Sequence, residues 1–128
     1  MDIDYFKTVN DTRGHLCGSQ VLKEVADLLR ACVREVDLVF RYGGDEFTAV
    51  LVETGCYGSS LVSERIRKTI EGHQFLKDSA DPVELTITVG HATYPSNAVT
   101  KQALIDLADQ AMYQGKQYRN VSRGAWDV

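Results

Sequence analysis

Arg41-Tyr42-Gly43-Gly44-Asp45-Glu46-Phe47 places two glycines and two carboxylates between two apolar runs. Residues 37–42 and 47–52, which flank the glycines and acids, are rich in aromatic and branched side chains, as β-strands are. The two glycines supply the positive φ that a tight two-residue turn requires. The sequence therefore predicts a β-hairpin that carries both acids at its tip.

Adjacent acids at the start of a strand have a chemical and a structural interpretation. A turn does not need them, and neighbouring carboxylates suit a divalent cation or phosphate chemistry. In an arbitrary protein, however, Gly-Gly-Asp-Glu is more often a solvated turn. The hairpin alone leaves both interpretations open.

Composition indicates one compact domain. The chain has 128 residues, of which 44% are hydrophobic and 25% charged, enough for a single buried core. No apolar run approaches the length of a membrane span, and no charged-then-apolar leader indicates export. Cys17, Cys32 and Cys56 are odd in number and not closely paired, so we expect a reducing, cytoplasmic setting. The net charge of −4 argues against general nucleic-acid binding, so a nucleotide would need a local cation or a few placed Lys and Arg residues.

Periodicity predicts alternating helices and strands. Residues 1–5 have the pattern of a strand end, and apolar residues recur at helical spacing from Ser19 to Arg34, with Ser19 as the N-cap. Helices are also predicted around 61–70 and 103–112, the latter with a stripe of core residues, and a strand is predicted over 83–93. Helices packed on one face of a mostly antiparallel sheet make the predicted fold α+β.

The opening run of the chain strengthens the chemical interpretation of the hairpin. Residues 2–18 read Asp-Ile-Asp-Tyr-Phe-Lys-Thr-Val-Asn-Asp-Thr-Arg-Gly-His-Leu-Cys-Gly. With the hairpin, this run resembles the GGDEF family, the diguanylate cyclases. The family's pattern is Asp-x-Asp-x-Phe-Lys-x-x-Asn-Asp-x-x-Gly-His-x-x-Gly-Asp, and every defined position except the last is met. Residues 34–37, 86–90 and 108–116 continue the resemblance along nearly the whole chain.

The resemblance implies that residues 1–128 form one GGDEF domain. Its fold is expected to be α+β, with the palm-like, ferredoxin-related and antiparallel-rich sheet of nucleotidyl cyclases and with helices packed on it. Family members carry a helix and most of the first strand ahead of the Asp-Ile-Asp run. We therefore expect a truncated first strand and first helix in a fragment of a larger protein, whose N-terminal sensory or receiver region is a further partner.

The resemblance also implies a reaction. Two GTP molecules are joined into cyclic di-GMP with release of two pyrophosphates, and each subunit of a homodimer holds one GTP. Divalent ions neutralise phosphates and favour deprotonation of a hydroxyl, so Mg²⁺ or Mn²⁺ is the expected cofactor. The implied metal ligands are Asp2, the carbonyl of Ile3, Asp45 and Glu46. The implied catalytic residues are Asp45 and Glu46, with Asp45 closest to the attacking hydroxyl.

Phosphate binding is implied for a further set of positions. Lys7 and Lys116 match the family's triphosphate lysines, although either one alone could be an ordinary surface lysine. Gly43 and Gly44 belong to the same substrate site. Arg119 matches a family arginine, but its interval from Lys116 is one residue short, which turns a helical position by about a quarter of a circle.

Guanine recognition is implied for Asn10 and Ser19. Asn10 matches the base-contacting asparagine, whose amide offers a donor and an acceptor, and capping of a turn or helix is its alternative role. Ser19 stands where the family has aspartate. A hydroxyl cannot accept two hydrogen bonds from guanine as a carboxylate can, so we expect weaker GTP binding or looser base selectivity. His15 is interpreted as a structural hydrogen-bonding residue.

An inhibitory product site is implied by Arg34, Asp37 and Arg65. Arg34-x-x-Asp37 has the family's spacing to the hairpin, and Arg65 falls where a second family arginine contributes. Arginine's planar fork suits phosphate and the Hoogsteen edge of guanine. A helix-end arginine paired with Asp37 is the structural alternative.

Two classes of function remain open from the sequence. The first is a metal-dependent diguanylate cyclase with product inhibition. The second is a catalytically weak GGDEF domain that acts as a binding module for cyclic di-GMP or GTP, as Ser19 and the altered interval before Arg119 would favour. A cytoplasmic location is expected in both cases, and membrane anchoring of the parent protein stays open.

Overall fold

The computed structural model describes residues 1–127, so that Val128, the last residue of the predicted domain, lies outside the described part. Residues 1–127 contain seven strands and four helices, followed by a final 3-10 turn at Ala125–Asp127. The strands are β1 (Asp2–Ile3), β2 (Leu38–Gly43), β3 (Glu46–Val50), β4 (Gln74–Phe75), β5 (Val83–Glu84), β6 (Ile87–His91) and β7 (Ser122–Gly124). The helices are α1 (Phe6–Arg13), α2 (His15–Cys32), α3 (Cys56–Glu71) and α4 (Lys101–Gly115).

Five strands form one sheet in the order β2-β3-β1-β6-β7. Every neighbouring pair is antiparallel except β6 and β7, which run parallel, and β4 and β5 form a separate two-stranded ribbon. The α+β fold with a mostly antiparallel sheet is therefore confirmed. The predicted hairpin is β2 and β3, and the strand end predicted at residues 1–5 is β1, in the middle of the sheet.

Helices cover both faces of this sheet, not one face as predicted. Ile3, Phe47 and Ile87 are each at most 3% exposed and share one core cluster with apolar side chains of α1, α2 and α3. The opposite face of β6 contacts α4 at Gly90, where a Cβ atom would come within 2.2 Å of the carbonyl oxygen of Ala108. Successive side chains of β6 point to opposite faces of the sheet, so this strand packs against α4 on one face and against the core cluster on the other.

The structure corrects two local predictions and adds one helix that was not predicted. Helix α2 begins at His15, so Ser19 lies inside the helix and is not its N-cap. The run after β1 forms a separate helix, α1, which periodicity over eight residues did not reveal. The strand predicted over 83–93 is two strands in different sheets, because Leu85 and Thr86 interrupt the ladder.

The hairpin turn differs from the prediction in one detail. Gly44 has φ +52°, the left-handed conformation that glycine adopts at low cost, whereas Gly43 ends β2 at a register shift between Arg41 and Gly43. The Nε of Arg41 donates a hydrogen bond to the carbonyl oxygen of Gly44 at 2.8 Å. One positive-φ glycine and an irregular register therefore place Asp45 at the tip.

Candidate active site

Two carboxylates from distant parts of the chain meet at the hairpin tip. The backbone N–H of Ile3 donates to the carbonyl oxygen of Asp45 at 3.2 Å, which ties β1 to the start of β3. Asp2 lies directly opposite Glu46 in the same antiparallel pair. Because opposite residues present their side chains to one face of a sheet, this register brings the Asp-Ile-Asp run beside the acids of the turn.

The pKa of Asp2 is raised to about 6, first by burial and then by its contact with the side chain of Asp45. Lys116 acts in the opposite direction, with its Nζ at 3.4 Å from Oδ2 of Asp2. The second oxygen of Asp2, Oδ1, is buried without a hydrogen-bond donor. A buried acceptor that faces another carboxylate is the arrangement that a bound cation would relieve.

Asp4 is the most deeply buried carboxylate of the site, with 1% of its surface exposed. Its two oxygens accept hydrogen bonds from Thr86 Oγ1 at 2.6 Å, Thr88 Oγ1 at 2.7 Å, Lys116 Nζ at 2.7 Å and the backbone N–H of Asn120 at 2.9 Å. Burial alone would raise the pKa of Asp4, but these donors together hold it below its ordinary value. Asp4 is therefore a charged anchor inside the fold.

Lys116 is held between the two aspartates. Its Nζ contacts Asp4 Oδ1, the carbonyl oxygen of Asp2 at 3.2 Å, and the Asp2 carboxylate. The Lys116 side chain remains 21% exposed, so it is not fully enclosed by the fold. The structure thus joins Lys116 directly to Asp2, another predicted site residue, and also to Asp4, for which no site role was predicted.

A cleft of about 330 Å³ opens beside Asp45. Its lining includes four further predicted substrate residues, namely Lys7, Asn10, Ser19 and Gly44. Phe6 and Leu22 supply apolar walls on which a flat aromatic ring can rest. The cleft therefore combines apolar walls and a few polar groups with one carboxylate, that of Asp45.

Gly18 allows α1 and α2 to approach each other inside this cleft. A Cβ atom at position 18 would lie 1.8 Å from Oδ1 of Asn10, so a larger residue would displace the Asn10 side chain. Glycine at this position therefore sets where the amide of Asn10 can lie. Ser19, the next residue, is exposed on α2 and lines the cleft without needing to cap the helix.

Arg119 lies apart from the cleft lining. Its guanidinium group stacks on the Tyr5 ring at 4.3 Å from the centroid, and its Nε is buried without a hydrogen-bond acceptor. Both Arg119, with φ +57°, and Tyr5, with φ +58°, have left-handed backbone conformations. Cation–π stacking thus fixes the arginine at the turn between β1 and α1.

Arg34 and Asp37 form a compact pair on the far side of the hairpin. Asp37 is buried and accepts from Arg34 N at 2.9 Å, Arg34 Nε at 3.2 Å and Val52 N at 2.9 Å. Hydrogen bonds from Arg34 lower the pKa of Asp37 to about 2, against burial, which would raise it. The Arg34 side chain is still 57% exposed, and Arg65 donates to the carbonyl oxygen of Cys32 at 3.1 Å.

Sequence reasoning missed three residues of this region. Asp4 could have been found from its alternation with Asp2, whereas Tyr5 and Asn120 carry no local signal of the contacts they make.

Among the described residues, no group of three or more His, Cys, Asp or Glu side chains converges as a metal site, so Glu46 does not join Asp2 and Asp45 in such a group. No helix within residues 1–127 is long and apolar enough to span a membrane.

Comparison with known proteins gives one consistent result. Residues 1–121 match the family model described as diguanylate cyclase, GGDEF domain. Diguanylate cyclase A of Treponema denticola and the response regulator PleD of Caulobacter vibrioides are each 38% identical over 117 residues, which are 91% of this chain. The chain spans 31% and 26% of the length of these two relatives.

Solved structures agree with the same assignment. The GGDEF domain of PA1120 from Pseudomonas aeruginosa superposes with a TM-score of 0.89 at 36% identity, covering 96% of this chain and 77% of that one. The GGDEF domain of DgcB from Caulobacter crescentus, solved in complex with c-di-GMP, gives a TM-score of 0.87 at 28% identity over 98% of this chain and 74% of that one.

Proposed function

Since the chain belongs to the GGDEF family of diguanylate cyclase domains, we propose that it joins two GTP molecules into cyclic di-GMP and releases two pyrophosphates. In each of two equivalent steps, a ribose 3′-hydroxyl of one GTP attacks the α-phosphate of the other. A new P–O bond forms, the bond to pyrophosphate breaks, and the hydroxyl proton is lost. The observation that carries the proposal is the half-buried Asp2–Asp45 carboxylate pair, of which Asp45 also lines a cleft of about 330 Å³.

The donor set at the hairpin tip fits a hard divalent cation. Asp2 and Asp45 contribute two carboxylates, one of them with an unpartnered buried oxygen, and the carbonyl of Ile3 is a third candidate ligand. Mg²⁺ is commonly bound by one or two carboxylates together with substrate phosphates. When bound here, Mg²⁺ or Mn²⁺ would neutralise phosphate charge and lower the pKa of the attacking hydroxyl.

The remaining residues would bind and orient GTP. Phe6 and Leu22 would contact the faces of the guanine ring, and Asn10 and Ser19 would lie within reach of its polar edge. Lys7 and Lys116 would supply positive charge to the triphosphate. Asp45, which belongs to both the cleft and the carboxylate pair, would lie closest to the attacking hydroxyl.

Product inhibition is proposed for the Arg34–Asp37 pair. The pair is preformed because Asp37 accepts two hydrogen bonds from the backbone N–H groups of Arg34 and Val52 and two from the Arg34 guanidinium group, whose side chain remains largely exposed. A guanidinium group oriented by a buried carboxylate can present its other N–H groups to a phosphate or a guanine edge. Arg65 on the neighbouring helix would add a second cation.

A receptor without turnover is the second candidate. It is favoured by Ser19, which lines the cleft with a hydroxyl group where a carboxylate would pair better with guanine. In that case the Arg34–Asp37 pair would bind cyclic di-GMP while GTP stayed unreacted. Turnover and product binding therefore separate the two candidates.

The decisive experiment is incubation of concentrated, nucleotide-stripped protein with GTP and Mg²⁺ or Mn²⁺, followed by chromatography for cyclic di-GMP. We expect product from the wild type, loss of product in Asp45→Ala and unchanged product in Asp27→Ala, which removes an exposed acid on α2. Equal turnover in Asp45→Ala would refute the assignment of that residue. Absence of turnover in the wild type, with cyclic di-GMP still bound, would establish the receptor.

A further inference from the structure

We propose that Asn120 is a positioning residue, clamped by Arg67 and Glu71 of α3, which fixes Asp4 and through it the ammonium group of Lys116. The inference rests on the proposed function in one respect, namely that Lys116 faces the GTP triphosphate. It adds a role for α3, from which the sequence analysis drew no active-site residue.

The backbone of Asn120 provides the first step. Its N–H donates to Asp4 Oδ2 at 2.9 Å, and its φ is +49°. This left-handed conformation is unfavourable for most residues but is tolerated by asparagine. A backbone held this way needs support from its surroundings, since the turn of residues 115–120 could otherwise relax and withdraw the donor from Asp4.

The side chain of Asn120 supplies that support. Its Oδ1 accepts a hydrogen bond from Arg67 Nη1 at 2.9 Å, and its Nδ2 donates to Glu71. Both partners lie on α3, one turn apart. Two hydrogen bonds to one helix fix the amide plane, and therefore also the peptide N–H that points at Asp4.

Arg67 is itself fixed by α3. Its Nε and Nη2 bind both oxygens of Glu64 at 2.6–3.0 Å, and Ser122 Oγ donates to the same carboxylate at 3.1 Å. The side chain is only 15% exposed, so the guanidinium group has little freedom. A bidentate pair of this kind fixes direction as well as charge.

The last step joins this clamp to the site. Asp4 is contacted by Asn120 on one oxygen and by Lys116 on the other, at 2.9 and 2.7 Å. A rigid carboxylate holds the ammonium group at one place, from which it would contact a phosphate. Loss of the clamp would let Asp4 and Lys116 shift together, and the contact between Lys116 and the GTP triphosphate would weaken.

A positioning role and a merely structural role predict different kinetics. Partial unfolding reduces the number of active molecules, which lowers kcat and leaves KM unchanged. Misplacement of Lys116 weakens GTP binding and raises KM. The two roles also differ in a Lys116→Met background, where a clamp that acts through Lys116 has nothing left to position.

The test is a double-mutant cycle of Arg67→Met and Lys116→Met. The measured quantity is the Kd of a non-reactive GTP analogue, which has a methylene bridge between its α- and β-phosphates and is titrated in the presence of Mg²⁺. We expect Arg67→Met to raise the Kd about fivefold alone and to have no further effect in the Lys116→Met protein. Lys68→Met is the matched control because it removes an exposed cation from the next position of α3, and its Kd should equal that of the wild type. An unchanged Kd in Arg67→Met, or an equal rise in both backgrounds, overturns the inference.

Two further measurements test the clamp even if Arg67→Met folds poorly or the wild type makes no cyclic di-GMP. Asn120→Gly retains the backbone N–H and tolerates positive φ, so it should raise the Kd as Arg67→Met does even if the latter folds poorly. Hydrogen exchange of the residue-120 amide should be slow in the wild type and at least tenfold faster in Arg67→Met. An equally protected amide in both proteins refutes the clamp, whereas a wild type that makes no cyclic di-GMP refutes the proposed function and leaves the exchange result standing.

Discussion

At the scale of single residues, the facing carboxylates of Asp2 and Asp45 dominate the site. Burial and this contact raise the pKa of Asp2, which means that the charged form is destabilised in the folded protein. Selection for stability alone would replace one of the two acids. Their juxtaposition is therefore the clearest local sign of a cation site.

Asp45→Asn should change stability in opposite directions with and without a divalent ion. Without metal, loss of one charge should raise the free energy of unfolding by about 0.5–1 kcal/mol, since like charges repel. With millimolar Mn²⁺, the wild type should gain stability by mass action and the variant should not. Thermal unfolding with and without chelator measures both effects, and Asp27→Asn should behave as the wild type. A variant that still gains stability from Mn²⁺ would contradict the metal assignment.

Ser19→Asp should strengthen GTP binding. The residue is exposed at the cleft, and a carboxylate can accept two hydrogen bonds from guanine where a hydroxyl accepts them poorly. A charge-assisted hydrogen bond contributes about 1.5–3 kcal/mol, so the KM for GTP should fall about tenfold or more. Steady-state kinetics over a range of GTP concentrations measure this change. Ser96→Asp, which adds the same charge in an exposed loop, should leave KM unchanged, and an equal fall in both variants would point to net charge.

At the scale of secondary-structure elements, the site depends on close packing of α4 against β6. Helix α4 ends at Gly115, and Lys116 follows directly, so the distance between helix and sheet decides whether its Nζ reaches Asp4. Gly90 makes that distance short. Packing at one glycine therefore places a side chain at the active site.

Gly90→Ala should destabilise the protein strongly. The added Cβ would lie 2.2 Å from the Ala108 carbonyl oxygen and 2.4 Å from the Met112 nitrogen, and backbone atoms cannot rotate away as a side chain can. We expect the free energy of unfolding to fall by about 3 kcal/mol. Chemical denaturation measures this loss. Gly55→Ala, where no atom lies within 4 Å of the added Cβ, should cost far less; equal losses would show that overpacking is not the cause.

Asp37 joins the end of α2 to the edge of the hairpin and should make stability depend on pH. The folded-state pKa is about 2, below the ordinary value of 3.8. A depressed acid pKa contributes stability that is complete above about pH 4 and is lost as the pH falls through 2. Unfolding measured between pH 5 and 2 should therefore show a smaller acid loss in Asp37→Asn than in the wild type. An equal loss of stability in acid for both proteins would show that the Arg34–Asp37 pair does not stabilise the fold as expected.

At the scale of the whole molecule, the proposed reaction needs two chains. Each chain contributes one Asp2–Asp45 pair, and the proposed reaction joins two GTP molecules related by symmetry. Turnover per chain should then rise with protein concentration until a dimer is saturated. Initial rates across a hundredfold range of concentration, beside sedimentation of the same samples, measure this dependence. A constant rate per chain for a monomer would exclude the two-chain mechanism.

Much of this architecture could be predicted from local patterns. The hairpin, helix α3 and the placement of Asp45 follow from residue composition and spacing, and the family assignment from the run at 2–18 is confirmed by the comparisons. The N-cap role of Ser19 was wrong because the helix begins one turn earlier. Helix periodicity is weak at this terminus, because the first turn of α2 contains an exposed leucine, Leu16, and a glycine, Gly18, which do not continue the apolar stripe.

The sequence by itself determined the family, the α+β class and the position of Asp45 and Glu46 directly after the hairpin turn, because these depend on residue types at short spacing. Only the tertiary structure decided that Asp45 meets Asp2, that α4 packs on the face opposite α2 and α3, and that Asp4 meets Lys116 and Asn120. The last two contacts join positions 112 and 116 residues apart. Sheet order and interhelical packing bring such positions together, and neither is encoded in the propensity of any one segment.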